Sequence, residues 1–168
     1  MNSCKYQRER ETFSITINAR VENVFPLACP YEELKWIEKW SYHLIRSESG
    51  RNENNCVFSE TMSASHVMGE AFGGPTVWYT TRYDPENHVI HFLLVRSSSL
   101  TKFEISMSDA GGGATRVLWD MTVTAIRPEA NAAFDGGIGE RMKLMMAFLS
   151  EALRHYCETG TMLVVESN

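Results

Sequence analysis

Residues 77–93, VWYTTRYDPENHVIHFL, contain two runs of aromatic and β-branched residues separated by the turn sequence Asp-Pro-Glu-Asn. Runs of this kind on either side of a short turn predict an antiparallel β-hairpin. Because side chains alternate along a strand, one face of the hairpin carries a tryptophan, an arginine and a histidine, namely Trp78, Arg82 and His91. The opposite face carries large apolar side chains, namely Tyr79, Ile90, Phe92 and Leu94. The face that points into the protein decides what kind of site this hairpin builds.

Short strands separated by turn sequences continue through the middle of the chain. The alternation of apolar and polar residues predicts six strands there: 41–48, 55–62, 76–83, 88–96, 100–108 and 115–126. The last two form the most regular hairpin, which turns at Ala110–Ala114. One face of this hairpin is apolar and is made of Phe103, Ile105, Trp119 and Met121. We expect that face to be buried, as in an antiparallel sheet that is covered on one side.

The two ends of the chain have different patterns. Residues 12–18, TFSITIN, alternate as a strand, and two short helices follow, the first ended by Pro26 and the second begun by Pro30. Residues 140–158 predict one long helix, because apolar side chains recur there at helical spacing, among them Met142, Met145, Met146 and Leu149. A curved antiparallel sheet of about seven strands wrapped around one long helix is an α+β architecture.

Composition limits the classes of protein to consider. The chain has 168 residues, of which 43% are hydrophobic, and its formal net charge is −5. The apolar content is sufficient for a core, and the negative charge argues against nucleic acid as a partner. No apolar run is long enough to span a membrane and the N-terminus is too polar for a signal peptide, so we expect a cytoplasmic protein. We expect one domain over residues 1–168, with loosely ordered tails at 1–11 and 164–168.

The sequence contains no motif that identifies a cofactor, a metal or a catalytic nucleophile. Its four cysteines and five histidines do not occur at the spacing of metal ligands, and His88 and His91 point to opposite faces of their strand. Residues 136–139, GGIG, precede a helix, but a dinucleotide-binding loop would need a glycine in place of Met142. We therefore expect no metal and no cofactor.

Three segments carry a family resemblance: TVWYTTRYDPENHVIHF in the hairpin, VTAIRPE before the last helix, and LRHYCETGTML at its end. Together with the order of the predicted elements, they resemble the START-like superfamily, also called SRPBCC, and its polyketide cyclase and aromatase members most of all. The resemblance covers about residues 12–163. It implies the helix-grip fold, in which the sheet and the long helix enclose an elongated apolar cavity. In the aromatase/cyclase branch a similar strand, W-x-x-x-R followed by D-P, places tryptophan and arginine on the pocket wall, and Trp78 and Arg82 match it.

The two arguments disagree about the inner face of the hairpin. Counting apolar groups favours the face of Tyr79 and Phe92, whereas the resemblance favours the face of Trp78 and Arg82. A cavity tolerates polar groups because a ligand or water can satisfy them, so we adopt the second alternative. The predicted ligand-binding residues are then Trp78, Thr80, Arg82, His91, Leu93, Phe103, Ile105, Trp119, Met121, Met142, Met145, Met146 and Leu149.

We expect the cavity to bind a small hydrophobic or aromatic molecule, with Arg82 on an anionic or carbonyl oxygen and His91 making one hydrogen bond. An alternative is a cyclase, aromatase or dehydratase, in which Arg82 polarises a carbonyl group and His91 transfers protons, so that these two are the candidate catalytic residues. A co-chaperone-like interaction module and a domain with a filled interior are further alternatives. The chosen orientation also exposes an apolar patch on the outer face, which predicts a homodimer through Tyr79, Ile90, Phe92 and Leu94.

Overall fold

One antiparallel sheet forms the body of the computed structural model, which describes residues 5–60 and 75–164. Within these residues there are seven strands: β1 (Arg8–Ile17), β2 (Tyr42–Arg46), β3 (Val57–Glu60), β4 (Thr76–Asp84), β5 (Val89–Val95), β6 (Ser99–Gly111) and β7 (Ala114–Ala125). Their order in the sheet is β1-β7-β6-β5-β4-β3-β2, so the first strand pairs with the last and all other neighbours follow the chain.

Short helices connect the strands, and one long helix closes the chain. The helices in the described residues are α1 (Val21–Val24), a 3-10 helix (Phe25–Ala28), α2 (Pro30–Glu33), a second 3-10 helix (Pro128–Ala130), α3 (Asn131–Asp135) and α4 (Ile138–Thr159). Gly137 at φ 80° and Gly160 at φ 74° flank α4 in the left-handed conformation, which costs glycine little because it has no Cβ. The Gly160 N–H donates to the Tyr156 carbonyl oxygen at 2.8 Å and closes the helix.

The long helix and the segment that follows α1 cover the same face of the sheet, which we call the inner face. Helix α4 lies along β1 and buries Met142, Met146 and Leu153. Residues 25–40 cover the part near β4, where Trp40 contacts Trp78 with ring centroids 6.2 Å apart. The expected α+β fold class and the closing helix are confirmed. The hairpin made of β6 and β7 is also confirmed, with its apolar face buried: Phe103, Ile105, Trp119 and Met121.

A β-bulge interrupts strand β4 between Thr80 and Arg82. Trp78 pairs with Leu94 before the bulge, and Arg82 pairs with His91 after it. A bulge adds one residue to one strand, so the alternation of faces shifts beyond it. Trp78 and Thr80 therefore point inward, whereas Arg82 and His91 lie on the outer face. The expectation that Trp78, Arg82 and His91 share the inner face is wrong, because it assumed uninterrupted alternation and a different register.

The apolar residues of β5 also point inward. Ile90, Phe92 and Leu94 are at most 3% exposed. They do not form the outer patch that was expected to mediate a homodimer, so that prediction loses its basis. The outer face carries Tyr79 and its cross-strand partner Leu93, and the prediction that Leu93 lines the cavity is therefore also wrong.

Strand β1 begins at Arg8 rather than at Thr12. The expectation of a loose tail is wrong for residues 8–11, because they pair with β7 in the sheet and the two arginines also bond to its polar side chains. Arg8 Nε donates to Thr124 Oγ1 at 2.9 Å, and Arg10 Nε donates to Asp120 Oδ1 at 3.0 Å. The parts of the predicted elements and tails at 1–4, 61–62 and 165–168 lie outside the described residues.

Candidate functional site

Aromatic rings line the middle of the inner face. They come from five neighbouring strands and are at most 9% exposed: Phe58, Trp78, Phe92, Phe103 and Trp119. Phe58 stacks on Trp78 with ring centroids 5.4 Å apart, and Phe103 stacks on Trp119 at 5.6 Å. An edge contact of 6.3 Å between Trp78 and Phe103 makes the row continuous. The row is a continuous apolar and aromatic surface at the centre of the inner face.

The four tryptophans differ in how their indole N–H groups are satisfied. Trp36 Nε1 donates to the Leu27 carbonyl oxygen at 2.8 Å, and Trp40 Nε1 donates to the Pro30 carbonyl oxygen at 2.9 Å. The Nε1 atoms of Trp78 and Trp119 are buried and have no hydrogen bond of normal length and angle within residues 5–60 and 75–164. A buried donor without an acceptor costs about 1–3 kcal/mol, so such groups need an explanation.

Helix α4 contributes a flexible, mostly apolar surface to the same interior. Met142 and Met146 are fully buried, and Met145 and Leu149 are half-buried against the core. Methionine side chains adapt to partners of different shape. The hydroxyl of Ser150 is buried in this stripe and has no hydrogen-bond partner in the described part of the chain. Unsatisfied polar groups therefore occur on the helix as well as on the sheet.

A charged pair lies at one end of the inner face. Glu60 is the last residue of β3 and is 4% exposed, and Arg96, which follows β5, is 9% exposed. Arg96 Nη2 and Glu60 Oε1 are 3.9 Å apart, which is an ion pair but too long for a hydrogen bond. Arg96 Nη1 donates to Thr101 Oγ1 at 3.3 Å, and Arg96 Nε has no partner in the described residues. In the described residues, the pair is therefore buried, but not all of its hydrogen-bonding groups have partners.

The buried acids at this end have unusual proton affinities. Burial raises the pKa of Glu60 to about 7, although the charge of Arg96 and the polar groups of Trp78 and Thr76 act in the opposite direction. The Trp78 indole N–H thus lies beside the Glu60 carboxyl group without bonding to it in good geometry. Burial, and then the charge of Glu60, raises the pKa of Glu33 on α2 well above its ordinary value. Glu60 therefore changes charge near neutral pH.

A surface cleft opens between the short helices and the loop that joins β2 to β3. It has a volume of about 600 Å³, and Cys29, Tyr31, Asn52 and Tyr83 are among its lining residues. A narrow side pocket, which shares Tyr31 and Asn52 with the cleft, reaches the buried ring of Phe58. Burial raises the pKa of the Cys29 thiol to about 11, so the thiol is protonated at neutral pH and is a poor nucleophile.

The structure separates the predicted site residues into two groups. Ten of them are buried in the core or pack against it: Trp78, Thr80, Phe103, Ile105, Trp119, Met121, Met142, Met145, Met146 and Leu149. Three lie on the outer face: Arg82, His91 and Leu93. Arg82 Nη2 donates to Asp84 Oδ2 at 2.7 Å, and His91 Nδ1 is 3.2 Å from Glu104 Oε1. These outer positions remove the basis for assigning Arg82 and His91 a role in the cavity.

Sequence reasoning missed two buried charged residues of the inner face, Glu60 and Arg96. Glu60 follows the buried Phe58 by two positions, and Arg96 follows the buried Leu94 by two positions. The alternation of faces, extended to the end of each strand, places both charges on the inner face. The signal was therefore present, since both residues lie within the predicted strands 55–62 and 88–96.

Among the described residues, no cluster of histidine, cysteine and acidic side chains has a geometry that could hold a metal ion. In the same part of the chain, no helix has the length and apolar character needed to cross a membrane.

The family that is described as polyketide cyclase / dehydrase and lipid transport has a sequence profile that matches residues 9–158. The chain therefore belongs to this family, and the START-like, SRPBCC resemblance is confirmed. Comparison with curated proteins gives no match.

Solved structures share the fold at low sequence identity. A START superfamily protein from Mycobacterium smegmatis is 15% identical with a TM-score of 0.61, over 90% of this chain and 99% of that one. The Zhui aromatase/cyclase from Streptomyces sp. R1128 is 12% identical with a TM-score of 0.60, over 92% of this chain and 99% of that one. DynU16, a putative protein of the dynemicin biosynthetic locus, is 13% identical with a TM-score of 0.64. That match covers 90% of this chain, which spans about half, 48%, of DynU16.

Proposed function

We propose that this protein binds a small, largely apolar molecule between the inner face of the sheet and helix α4. The observation that carries the proposal is the pair of buried indole N–H groups of Trp78 and Trp119. Neither makes a hydrogen bond of good geometry in the described residues, although that of Trp78 lies beside the Glu60 carboxyl group. They lie in a continuous row of aromatic rings, so a bound molecule would meet apolar surface and hydrogen-bond donors together. Ligand sites commonly combine a mostly apolar wall with a few polar groups that fix orientation.

The chemical character of the wall defines the class of ligand. Burial of apolar surface contributes about 25 cal/mol per Å², and the aromatic rings favour a flat ring system. The unsatisfied groups on the sheet include three N–H donors, those of Trp78, Trp119 and Arg96. The ligand therefore carries oxygen acceptors, such as carbonyl or hydroxyl groups. Family membership supports a role of this kind, because the family description includes both cyclases and lipid transport.

The predicted pocket residues that point inward keep their proposed role as lining residues. Thr80 contributes shape rather than a free hydroxyl, because Thr80 Oγ1 already donates to Asn52 Oδ1 at 2.6 Å. The cleft beside Asn52 is the proposed entrance, since its side pocket leads to Phe58 at the edge of the aromatic row.

A fluorescence titration with 8-anilino-1-naphthalenesulfonate tests the proposal. We expect saturable binding to the native protein, with energy transfer from tryptophan to the dye. The variant Met145→Trp fills the interior from α4 and should weaken binding at least tenfold. Its matched control is Leu144→Trp, since Leu144 is 65% exposed on the same helix and the change should leave binding unaltered. Absence of binding, or an equal effect of the two variants, contradicts the proposal; near-ultraviolet circular dichroism verifies that each variant is folded.

A cyclase or dehydratase activity is the second candidate function, and one observation favours it. Glu60 is buried beside the aromatic row with a pKa of about 7, which suits a general acid–base group at neutral pH. In a dehydration, the Glu60 carboxylate would remove the proton next to a carbonyl and then give it to the β-hydroxyl, which leaves as water as the carbon–carbon double bond forms.

A naphthyl-substituted β-hydroxyketone tests the second candidate, because the conjugated enone that forms on loss of water absorbs strongly. We expect Glu60→Gln to lower the rate by about 100-fold or more. Glu104→Gln, on the outer face, is the control and should retain the rate. Equal rates in both variants, or no turnover by the wild-type protein, contradict the enzymatic candidate.

A further inference from the structure

Glu60, Thr76 and Arg96 form a polar row across β3, β4 and the end of β5. Glu60 pairs with Thr76 in the sheet, and the next pair along β4 and β5 is Val77 with Val95, so Arg96 stands beside Thr76. All three side chains are on the inner face and at most 9% exposed. The row borders the aromatic wall, because Trp78 is two residues from Thr76 on the same strand and face.

Within residues 5–60 and 75–164, the guanidinium group of Arg96 makes far fewer bonds than it can. Arginine has five N–H donors in a planar fork that fits a carboxylate. In the described residues its side chain has one hydrogen bond, to Thr101 at 3.3 Å, and one ion pair, to Glu60 at 3.9 Å. Its Nε atom and the nearby Ser99 Oγ are buried without partners there. In the described residues, the polar groups near Arg96 that lack hydrogen-bond partners are therefore N–H and O–H groups, which require an acceptor.

We propose that Arg96 binds the carboxylate group of an aromatic or apolar acid, and that Glu60 takes up a proton when this ligand binds. The proposal rests on the proposed function, since the apolar body of the acid would occupy the aromatic wall. A second negative charge next to Arg96 disfavours the ionised form of Glu60, because both carboxylates would share one buried cation. Protonation of Glu60 then keeps the number of buried charges constant.

The groups around Glu60 are consistent with proton uptake by Glu60 when a carboxylate ligand binds. Arg96 faces it from β5, Glu33 from α2, and Tyr42 is its partner on β2. Burial, and then the charge of Glu60, raises the pKa of Glu33 well above its ordinary value, so the variant Glu60→Gln is needed to assign the proton to Glu60. Its own pKa of about 7 means that proton uptake near neutrality costs little. An ammonium group would not use the unsatisfied donors and would meet the charge of Arg96.

Calorimetric titrations with 2-naphthoate and its neutral analogue 2-naphthamide test the proposal. Between pH 6 and pH 8 both probes keep a constant charge, so any pH dependence arises from the protein. We expect naphthoate affinity to be roughly tenfold higher at pH 6 than at pH 8, since one proton is taken up, and naphthamide affinity to be unchanged. Titrations in phosphate and in Tris at pH 7 measure the proton directly, because the two buffers differ in ionisation enthalpy.

Two variants separate the roles of the pair. Glu60→Gln should bind naphthoate with an affinity that no longer depends on pH and without proton uptake. Arg96→Met should lose naphthoate binding at least tenfold while it retains naphthamide. Because Arg96→Met leaves a buried acid without its cation, its fold is checked by circular dichroism. If it unfolds, the wild-type proton uptake and the Glu60→Gln titration decide the question.

The outcomes distinguish this inference from the proposed function. If both probes bind with equal affinity that does not vary with pH, the pair is structural only and the inference is overturned, while the proposed function stands. Tighter binding of 2-naphthylmethylamine than of naphthoate also overturns it. If neither naphthoate nor naphthamide binds, the proposed function itself fails.

Discussion

Glu60 Oε1 and Arg96 Nη2 lie 3.9 Å apart at the inner end of the sheet, and both side chains are more than nine-tenths buried. A buried pair at this distance recovers only part of the cost of removing two charges from water. This cost appears as the raised pKa of Glu60, about 7 against an ordinary value of 4.5.

The raised pKa of Glu60 predicts that the protein loses stability as the pH rises. The folded state binds the Glu60 proton more tightly than the unfolded state, so its contribution is complete below pH 4.5 and is lost as the pH rises towards 7. At 1.36 kcal/mol per pH unit, the free energy of unfolding should fall by roughly 2–3 kcal/mol between pH 5 and pH 8. Urea denaturation at several pH values measures this decrease.

The variant Glu60→Gln isolates the contribution of Glu60 to the pH dependence of the free energy of unfolding. His91, whose pKa is lowered mainly by burial, opposes the trend and is retained in the variant. Glu33 adds to the trend mainly through its burial, which the variant also retains. The difference in stability between wild type and variant should therefore change by roughly 2–3 kcal/mol over this range. A difference that is constant from pH 5 to pH 8 contradicts the raised pKa of Glu60.

The orientation of the central hairpin predicts opposite responses to two glutamate substitutions. Phe92→Glu places a charge among the buried rings of Phe58 and Trp78 and should cost more than 4 kcal/mol, enough to unfold most of the protein. Tyr79→Glu lies on the outer face and should cost about 1 kcal/mol, since it loses the hydrogen bond from Tyr79 Oη to Asn55. Circular dichroism and size-exclusion chromatography distinguish the two; a stable Phe92→Glu protein would show that the hairpin faces the other way.

The position of Arg82 on the outer face predicts that this residue does not contribute to ligand binding. It is 49% exposed and paired with Asp84, and such exposed pairs contribute at most about 1 kcal/mol. We expect Arg82→Ala and His91→Ala to leave dye binding unchanged. Loss of binding in either variant, with the fold intact, would reinstate these residues as part of the cavity.

The backbone conformation of Gly137 predicts that a substitution at the start of helix α4 reduces the stability of the protein. Its φ of 80° is unfavourable for residues with a Cβ, so Gly137→Ala should reduce stability by about 1 kcal/mol. Gly136 has a negative φ of −83° and its added Cβ would make ordinary contacts, so Gly136→Ala should change stability by less than about 0.5 kcal/mol. Denaturation midpoints of the two variants test this contrast, and equal values contradict it.

Periodicity was sufficient to predict the sheet and the closing helix. The hairpin of β6 and β7 keeps strict alternation with one apolar face, so Trp119 is buried as expected. Helix α4 buries Met142 and Met146 at helical spacing. In both elements local pattern and tertiary packing agree, which is why sequence alone identifies them.

Periodicity was not sufficient to predict two features of the site, namely the β-bulge in β4 and the burial of the charges of Glu60 and Arg96. A β-bulge depends on how two strands pair, and nothing in TTRY marks the extra residue between Thr80 and Arg82. Each of the two opposing arguments about the hairpin was therefore half right: Trp78 points inward, as the resemblance implied, and so does Phe92, as the count of apolar groups implied. The alternation of faces placed Glu60 and Arg96 on the inner face, but the burial of their charges also depends on the neighbouring strands, which their own segments do not specify.

The central claim, that a ligand occupies the inner face beside Trp78 and Trp119, is tested most directly by NMR of indole N–H groups. All four tryptophans are labelled with ¹⁵N, their signals are assigned from single Trp→Phe variants, and 2-naphthoate is titrated. We predict that the Trp78 and Trp119 signals shift, whereas those of Trp36 and Trp40, which already donate to Leu27 and Pro30, remain in place. Unchanged signals for Trp78 and Trp119 at saturating naphthoate would contradict the claim.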